Sequence, residues 1–100
     1  MLTRIHIIFS SEKEEDYLHL NKALLDICPT FSISTYREYP GMSNSSDFYI
    51  TCDLKEEEIQ PLLNQLNNDW DGEDGSYEAY GFNTKMFDSL VYYISFDVLA

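Results

Sequence analysis

The sequence predicts an α+β fold, a βαββαβ-type two-layer sandwich in which an antiparallel sheet carries two helices on one face. Three observations predict it: alternating apolar residues in three segments, apolar residues at helical spacing in two others, and the order in which these segments follow one another. The alternating segments are 2–9, 47–54 and 90–98, and the helical ones are 12–28 and 54–66. The order is that of the ferredoxin-like motif, with a possible extra strand near the C-terminus. One hundred residues suit a single domain, 1–100.

The first segments predict a strand and then a helix. Alternation over 2–9 places one apolar set on one face, with Arg4, His6 and Ile8 on the other. Ser11 followed by Glu14 is a capping-box pattern, and Pro29 ends the helix. The inward strand residues are Ile5, Ile7 and Phe9, and the helical stripe comprises Tyr17, Leu20, Leu24 and Ile27, widened by Leu18 and Leu25.

The middle of the chain predicts a hairpin and the second helix. Segment 31–39 loses its alternation near Thr35 and Tyr36, which indicates a bulge or an edge position, and a turn-rich loop follows. In 47–54, Phe48, Ile50, Cys52 and Leu54 face inward, while Tyr49, Thr51 and Asp53 face outward. The second helix runs from Leu54 or Glu56 to Leu66, with Ile59, Leu62, Leu63 and Leu66 as its apolar stripe. Pro61 inside it predicts either a restart or a kink.

The C-terminal part predicts an acidic loop followed by two strands. A short strand is expected over 77–82 and a longer one over 90–98, joined by 83–89. Tyr92, Ile94, Phe96 and Val98 are expected to share the core face. The opposite, open face of the sheet then carries Arg4, His6, Tyr49, Thr51 and Tyr93. Exposed tyrosines of this kind are typical of protein-binding surfaces.

The net negative charge of the chain limits the classes of molecule that it can bind. The chain has 18 acidic and 6 basic residues, a net charge of −12, yet 44% of it is apolar and 15% aromatic, which indicates a folded domain. So large a negative charge repels nucleic acid and anionic membranes, so neither is an expected direct partner. A basic protein or a cation is the natural complement.

Cysteine usage and hydropathy indicate a cytoplasmic protein. Cys28 and Cys52 form no C-x-x-C pattern and lie in apolar settings, so both are expected to be buried, reduced thiols. The apolar run near the N-terminus is too short for a signal peptide, and no segment approaches membrane-spanning length.

The segment 67–78, called the acidic segment below, is the strongest functional candidate. It contains two glycines, the only tryptophan and five carboxylates. One interpretation is a calcium loop, because Asn67, Asp69, Asp71, Gly72 and Glu78 match its twelve-residue spacing. Asn at the first position, Asp74 at the eighth and no recognisable exit helix weaken that match. We therefore predict no metal site and no cofactor, and keep a calcium-binding module as an alternative.

The preferred interpretation of the acidic segment is a protein interface. Clustered carboxylates steer a cationic partner, and an aromatic side chain can anchor it. The predicted partner-binding residues are Asp69, Trp70, Asp71, Glu73, Asp74, Tyr77 and Glu78. Trp70 by itself is also expected to pack on the core, one turn beyond Leu66. Whether the protein is a monomer or a homodimer stays open.

Catalysis and nucleic-acid mimicry are two further functions that the acidic residues could serve. Catalysis is not expected, because no nucleophile motif accompanies His6 or His19, and glycine-flanked acids such as Asp71 and Glu73 hold geometry poorly. A nucleic-acid mimic that inhibits a DNA- or RNA-binding enzyme is the other alternative. It requires Asp53, Asp88 and Asp97 to align with the acidic segment, so that carboxylates replace phosphates.

In overall character the chain resembles a bacterial immunity protein. It is a small, acidic α+β domain with aromatic-rich strands, and Asp69-Trp70-Asp71-Gly72-Glu73 is its most suggestive local element. Immunity proteins neutralise the toxin domains of polymorphic and contact-dependent growth inhibition systems. The resemblance implies stoichiometric binding to one cognate toxin domain, often a basic nuclease, at its active site or an adjacent surface. It transfers no individual residue, because these families share no common signature.

Overall fold

The computed structural model describes residues 1–67, 69–81 and 86–100. Within these residues, two helices and one seven-stranded antiparallel sheet form an α+β fold, as predicted. The elements are β1 (Leu2–Phe9), α1 (Glu14–Ile27), β2 (Ser32–Ile33), β3 (Arg37–Glu38), β4 (Ser46–Asp53), α2 (Glu56–Leu66), β5 (Asp71–Glu73), β6 (Ser76–Tyr80) and β7 (Val91–Val98).

Strand β1 lies at the centre of the sheet, between β4 and β7. The order across the sheet is β2-β4-β1-β7-β6-β5, and β3 also pairs with β4. Strands β2, β4, β1 and β7, with a helix after β1 and another after β4, form the split βαβ arrangement. The β5–β6 hairpin extends the sheet beyond β7.

The strand register brings the apolar side chains of β4, β1 and β7 together on one face of the sheet. Ile5 pairs with Ile50 on β4 and with Phe96 on β7. Ile7 likewise lies between Phe48 and Ile94. Both helices cover this face, because their leucines belong to the same buried cluster as the strand residues. The helix residues buried there are Leu20, Leu24, Leu62, Leu63 and Leu66. Neither of the two helices in the described residues covers the opposite face, which is called the open face below.

Helix α1 begins later than its capping-box pattern predicts. Lys13 occupies the N-cap position, and the Ser11 hydroxyl donates to Asp16 while it accepts from the backbone N–H of Lys13. The predicted pairing of Ser11 with Glu14 is therefore wrong. Leu18 and Leu25 are 54% and 39% exposed, so the apolar stripe is narrower than predicted.

Helix α2 continues through Pro61 without a restart. Proline has no N–H to donate to the preceding turn, and its ring lies on the exposed side of the helix, where water can reach the carbonyl that lacks a partner. At the N-terminus the Glu58 carboxylate accepts from the backbone N–H of Lys55 at 2.8 Å, which fixes the first turn.

The irregular segment 31–39 forms an edge, as predicted. It splits into β2 and β3, which both pair with β4 and are interrupted around Thr35 and Tyr36. Strand β7 carries an irregularity that alternation did not reveal. The register shifts between Ile8 and Phe9, so that Val91 lies opposite Phe9 in the core. Tyr92 is 39% exposed, and its predicted place on the core face is wrong.

The acidic segment is a β-hairpin and not a loop. Strands β5 and β6 pair through Asp71 opposite Glu78, and Asp74 and Gly75 make the turn with φ values of 56° and 80°. A two-residue turn with both φ values positive matches the twist of a hairpin, and Asp-Gly is well suited to it. The end of the predicted strand 77–82 and part of the connection 83–89 lie outside the described residues. Across the described parts of the chain, the helices are too short and too polar to cross a membrane.

Candidate functional site

The open face combines carboxylates with aromatic rings. Alternation along each strand directs every second side chain away from the helices, and neighbouring strands bring these side chains together. The open-face residues on the central and hairpin strands are Arg4, His6, Ile8, Asp47, Tyr49, Thr51, Asp53, Asp71, Glu73, Ser76, Glu78, Tyr80, Tyr93, Ser95 and Asp97. The five positions that the sequence assigned to this face, including His6, Tyr49 and Tyr93, are all confirmed.

An acidic groove of about 350 Å³ crosses the hairpin side of this face. Three neighbouring strands each contribute one carboxylate, and none of the described residues that line the groove is Lys or Arg. The lining residues are Asp71, Gly72, Ser76, Tyr77, Glu78, Tyr93, Ser95 and Asp97. The groove is therefore suited to an ammonium or guanidinium group.

Hydrogen bonds hold two of these carboxylates in place. The Tyr93 hydroxyl donates to Glu78 Oε2 at 2.9 Å, and the Ser76 hydroxyl donates to Asp97 Oδ1 at 2.8 Å. Burial, together with the bond to Glu78, raises the pKa of Tyr93 to about 12. Tyr93 therefore remains a protonated donor at neutral pH and keeps Glu78 oriented.

A tyrosine cleft of about 430 Å³ adjoins the groove, and Tyr93 lines both. The ring centroids of Tyr80 and Tyr93 are 5.2 Å apart, and Tyr80 meets Tyr92 edge to face at 6.4 Å. The cleft is lined by His6, Ile8, Tyr39, Gly41, Met42, Tyr80, Tyr92 and Tyr93. Large rings of this kind give contact area at a small cost in side-chain entropy.

A buried carboxylate supports the cleft from below. The Asp47 side chain is 1% exposed and binds His6 Nε2 at 2.7 Å and Arg37 Nε at 3.0 Å. The hydrogen bond to Asp47 raises the pKa of Arg37. His6 in turn stacks on Tyr49, with ring centroids 4.4 Å apart and planes within 10°. His6, which lines the cleft, is thus held by its hydrogen bond to Asp47 and by stacking on Tyr49.

The cations of the open face are largely engaged within the chain. Arg37 binds Asp47, and the Arg4 guanidinium lies over the Tyr49 ring, 5.5 Å from its centroid. Arg4 is also the register neighbour of Asp97, so it offsets part of the charge at one end of the groove. Asp71 and Glu78 face each other across β5 and β6.

The structure divides the predicted partner-binding residues into two groups. Asp71, Glu73 and Glu78 lie on the open face, as an interface requires. Asp74 lies at the hairpin turn, and Asp69 is exposed in the connection that leads into β5. Asp74 instead lines a separate cavity near the N-terminus of the chain.

The two predicted aromatic anchors do not belong to the open face. Trp70 packs against the core and donates from Nε1 to the carbonyls of Leu63 at 2.8 Å and Asn67 at 3.0 Å. The Leu63 carbonyl also accepts from the backbone N–H of Asn67, so Trp70 adds a second donor there and supplies one to the Asn67 carbonyl just beyond the helix end. Tyr77 points to the core side, near Phe96. Tyr77 also lines the acidic groove, and the role of these two residues as partner anchors stays a prediction.

Replacing Trp70 by Phe is expected to lower the free energy of unfolding by about 1–2 kcal/mol, because the helix end loses its donor and part of its packing. Urea denaturation followed by far-UV circular dichroism measures this loss. Tyr92→Phe is the control, since Tyr92 is 39% exposed and caps no helix. Equal stability of the two variants would contradict the capping role.

The calcium-loop spacing does not produce a cation cage. Asn67 is fully buried, and its Oδ1 accepts from the backbone N–H of Asp69, whereas Asp71 and Glu78 lie on the open face. Among the described residues, no group of three His, Cys, Asp or Glu side chains could hold a metal ion. The acids needed for a nucleic-acid mimic are also separated, because Asp88 pairs with His19 on α1 at 2.6 Å.

Sequence reasoning missed most of the site beyond the hairpin. Tyr93 was placed on the open face by alternation, but its contact with Glu78 depends on the pairing of β6 with β7. Tyr39, Tyr80 and Tyr92 come from three separate segments, and only the folded sheet brings them together. The one local signal was the high tyrosine content of the strands.

Comparison of the chain with models of protein families, with curated proteins and with solved structures finds no match.

Proposed function

We propose that this protein binds a basic protein partner through the acidic groove and the tyrosine cleft, and that the partner is a toxin domain which it neutralises. The observation that carries the proposal is the groove itself: Asp71, Glu78 and Asp97 come from three adjacent strands and line one cavity. Carboxylates that line the same cavity repel one another, and a cation bound between them would offset this repulsion.

The groove is suited to a lysine or arginine side chain from the partner. Its volume of about 350 Å³ accommodates the planar guanidinium group together with its aliphatic stem. Arginine can bind a carboxylate through two parallel hydrogen bonds, and Glu78 is already oriented by Tyr93 for such contact.

The tyrosine cleft supplies an aromatic anchor beside the groove. Interfaces derive most of their binding energy from a few buried aromatic or arginine contacts, while surrounding charges raise the association rate. Tyr80, Tyr92 and Tyr93 offer an aromatic wall directly beside the groove. A partner segment with a cationic side chain followed by an apolar or aromatic one would occupy both.

Toxin neutralisation follows from combining this surface with the resemblance to immunity proteins. Their partners are often basic nucleases, whose cationic active sites bind phosphates. A rigid anionic face can cover such a site stoichiometrically, without catalysis by the inhibitor. The described residues of the face supply carboxylates at the groove, and the sheet beneath them is fixed by a continuous core.

The binding test requires a candidate toxin domain, and the first one to try is the basic C-terminal domain of any secreted protein whose gene adjoins that of this chain. Surface plasmon resonance at increasing sodium chloride is expected to show a steep fall in the association rate constant. Asp71→Asn combined with Glu78→Gln is expected to lower that constant roughly tenfold at low salt and to flatten its salt dependence.

The matched control is Asp26→Asn combined with Glu57→Gln, which removes two exposed charges from the helical layer. It is expected to leave the association rate near that of the unaltered protein. Equal losses in the two double variants, or binding that salt does not affect, would contradict a role for the groove. A co-expression assay then tests neutralisation, since the unaltered chain should restore growth of cells that produce the toxin domain.

A further inference from the structure

The two cysteines share one hydroxyl group. Cys28, at the end of α1, has its Sγ 3.3 Å from Thr30 Oγ1, and the same oxygen lies 3.5 Å from Cys52 Sγ on β4. The separation of the sulfur atoms is therefore no greater than the sum of these two distances. Both thiols are free, although 24 positions separate them in sequence.

The two thiols differ in access to solvent. Cys28 is half-buried and lines a surface cavity of about 270 Å³ between the end of α1 and the start of α2. Cys52 is 6% exposed and lies behind it in the core. Burial is the main cause that raises the pKa of the Cys52 thiol, and the nearby Cys28 also contributes. A small oxidant dissolved in water therefore meets Cys28 first.

We propose that Cys28 and Cys52 form a reversible intramolecular disulfide when the protein meets hydrogen peroxide. In the first step the sulfur of Cys28 attacks peroxide, the O–O bond breaks, and Cys28 becomes a sulfenic acid with release of one water. In the second step the sulfur of Cys52 attacks the Cys28 sulfur, the S–O bond breaks, and a second water leaves. Two thiols are oxidised and one peroxide is reduced, so the electrons balance.

The geometry favours the second step over further oxidation. A sulfenic acid on Cys28 has the Cys52 thiol as a neighbour across the Thr30 hydroxyl, whereas a second peroxide must diffuse in. The bond would join the end of α1 to β4, two elements that otherwise meet through packing. It is independent of the proposed function, because both thiols lie on the helix-covered side of the sheet and not on the open face.

The experiment treats the full chain with hydrogen peroxide and follows it by intact-mass spectrometry. The expected product is a monomer lighter by two hydrogen atoms, without free thiols after denaturation, that dithiothreitol returns to the starting mass. Peptide mapping should link the Cys28 and Cys52 peptides, and the oxidised protein should unfold at a higher temperature. Two thiols that persist, sulfinic acid as the main product, or a disulfide between two chains would each overturn the proposal.

Two single variants separate the roles of the thiols. Cys52→Ser is expected to stop at the sulfenic acid, which dimedone traps on Cys28, and then to over-oxidise. Cys28→Ser is expected to react many times more slowly, because the remaining thiol is buried. Equal rates for the two variants would contradict the assignment of Cys28 as the first target. The mass change in the unaltered protein decides the main point even if a variant folds poorly.

Discussion

Replacing His6 by Phe and Arg37 by Ala together is expected to lower the free energy of unfolding at neutral pH, and by more than Asp47→Asn does. The reason is the carboxylate that remains. Asp47 is 1% exposed and binds both of these side chains, so the double variant leaves a buried carboxylate without these two partners. Phe at position 6 keeps an aromatic ring beside Tyr49, which limits the change at this position to the lost contact with Asp47.

Urea denaturation at neutral pH measures this effect. Adding Asp47→Asn to the double variant should restore much of the stability at neutral pH. A double variant within about 1 kcal/mol of the unaltered protein would show that water or rearrangement satisfies the carboxylate.

The single variant Asp47→Asn is the control, because it removes the carboxylate and leaves both of its partners in place. The side chains of His6 and Arg37 are 19% and 67% exposed, so without Asp47 both can turn toward water. We therefore expect Asp47→Asn to cost less than the loss of both partners. The opposite order would mean that Asp47 organises the fold through contacts other than these two.

Replacing Gly72 by Ala is expected to abolish the pairing of β5 and, with it, most partner binding. A Cβ atom at this position would lie 2.1 Å from the carbonyl oxygen of Ser76 and 2.9 Å from the Cα atom of Tyr77. Both are backbone atoms of the neighbouring strand and cannot turn away. The φ of Gly72, 128°, is also a value that side-chain-bearing residues rarely adopt.

The consequence should be local, because β5 is the outermost strand of the sheet. We expect its backbone amides to lose protection from hydrogen exchange, while the free energy of unfolding falls by only about 1–3 kcal/mol. Asp71 would then no longer be held opposite Glu78. The association rate constant with the basic domain should fall at least as far as in the variant with both charges neutralised.

Gly75→Asn is the matched control for Gly72→Ala. Its φ of 80° belongs to the hairpin turn, and asparagine tolerates left-handed backbone conformations better than other residues with a side chain. A Cβ atom there would lie 3.2 Å from the Val98 side chain, and a small shift of that side chain at the end of β7 would relieve the contact. Gly75→Asn is therefore expected to retain the hydrogen-exchange protection of β5 and most of the binding. If Gly72→Ala binds the partner normally despite an unpaired β5, the hairpin is not part of the interface.

The core could be predicted from the sequence because its signals are local. Alternation over 2–9 and 47–54 predicted which residues of β1 and β4 face inward, and the leucine spacing predicted the stripe of α2. Tyr92 was misplaced because a register shift beside Phe9 inserts a residue, and alternation cannot reveal such an insertion.

The candidate site was less predictable, because it depends on pairing between distant strands. The acidic segment was interpreted as a loop since its carboxylates masked the Asp74-Gly75 turn, which is itself a hairpin signal. Trp70 was correctly expected to pack on the core, but its hydrogen bonds to the end of α2 were not foreseen. The tyrosine cleft required the complete strand order.

The outer strands of the sheet determine how a second protein can approach it. Unpaired backbone groups at a sheet edge invite strands of other molecules, which leads to aggregation. Here one edge is broken into the two-residue strands β2 and β3, and the other is the three-residue β5, which carries Asp71 and Glu73. Short length and like charges discourage another copy of the chain from adding a strand to either edge. The acids that attract a basic partner thus also help to keep the protein from polymerising.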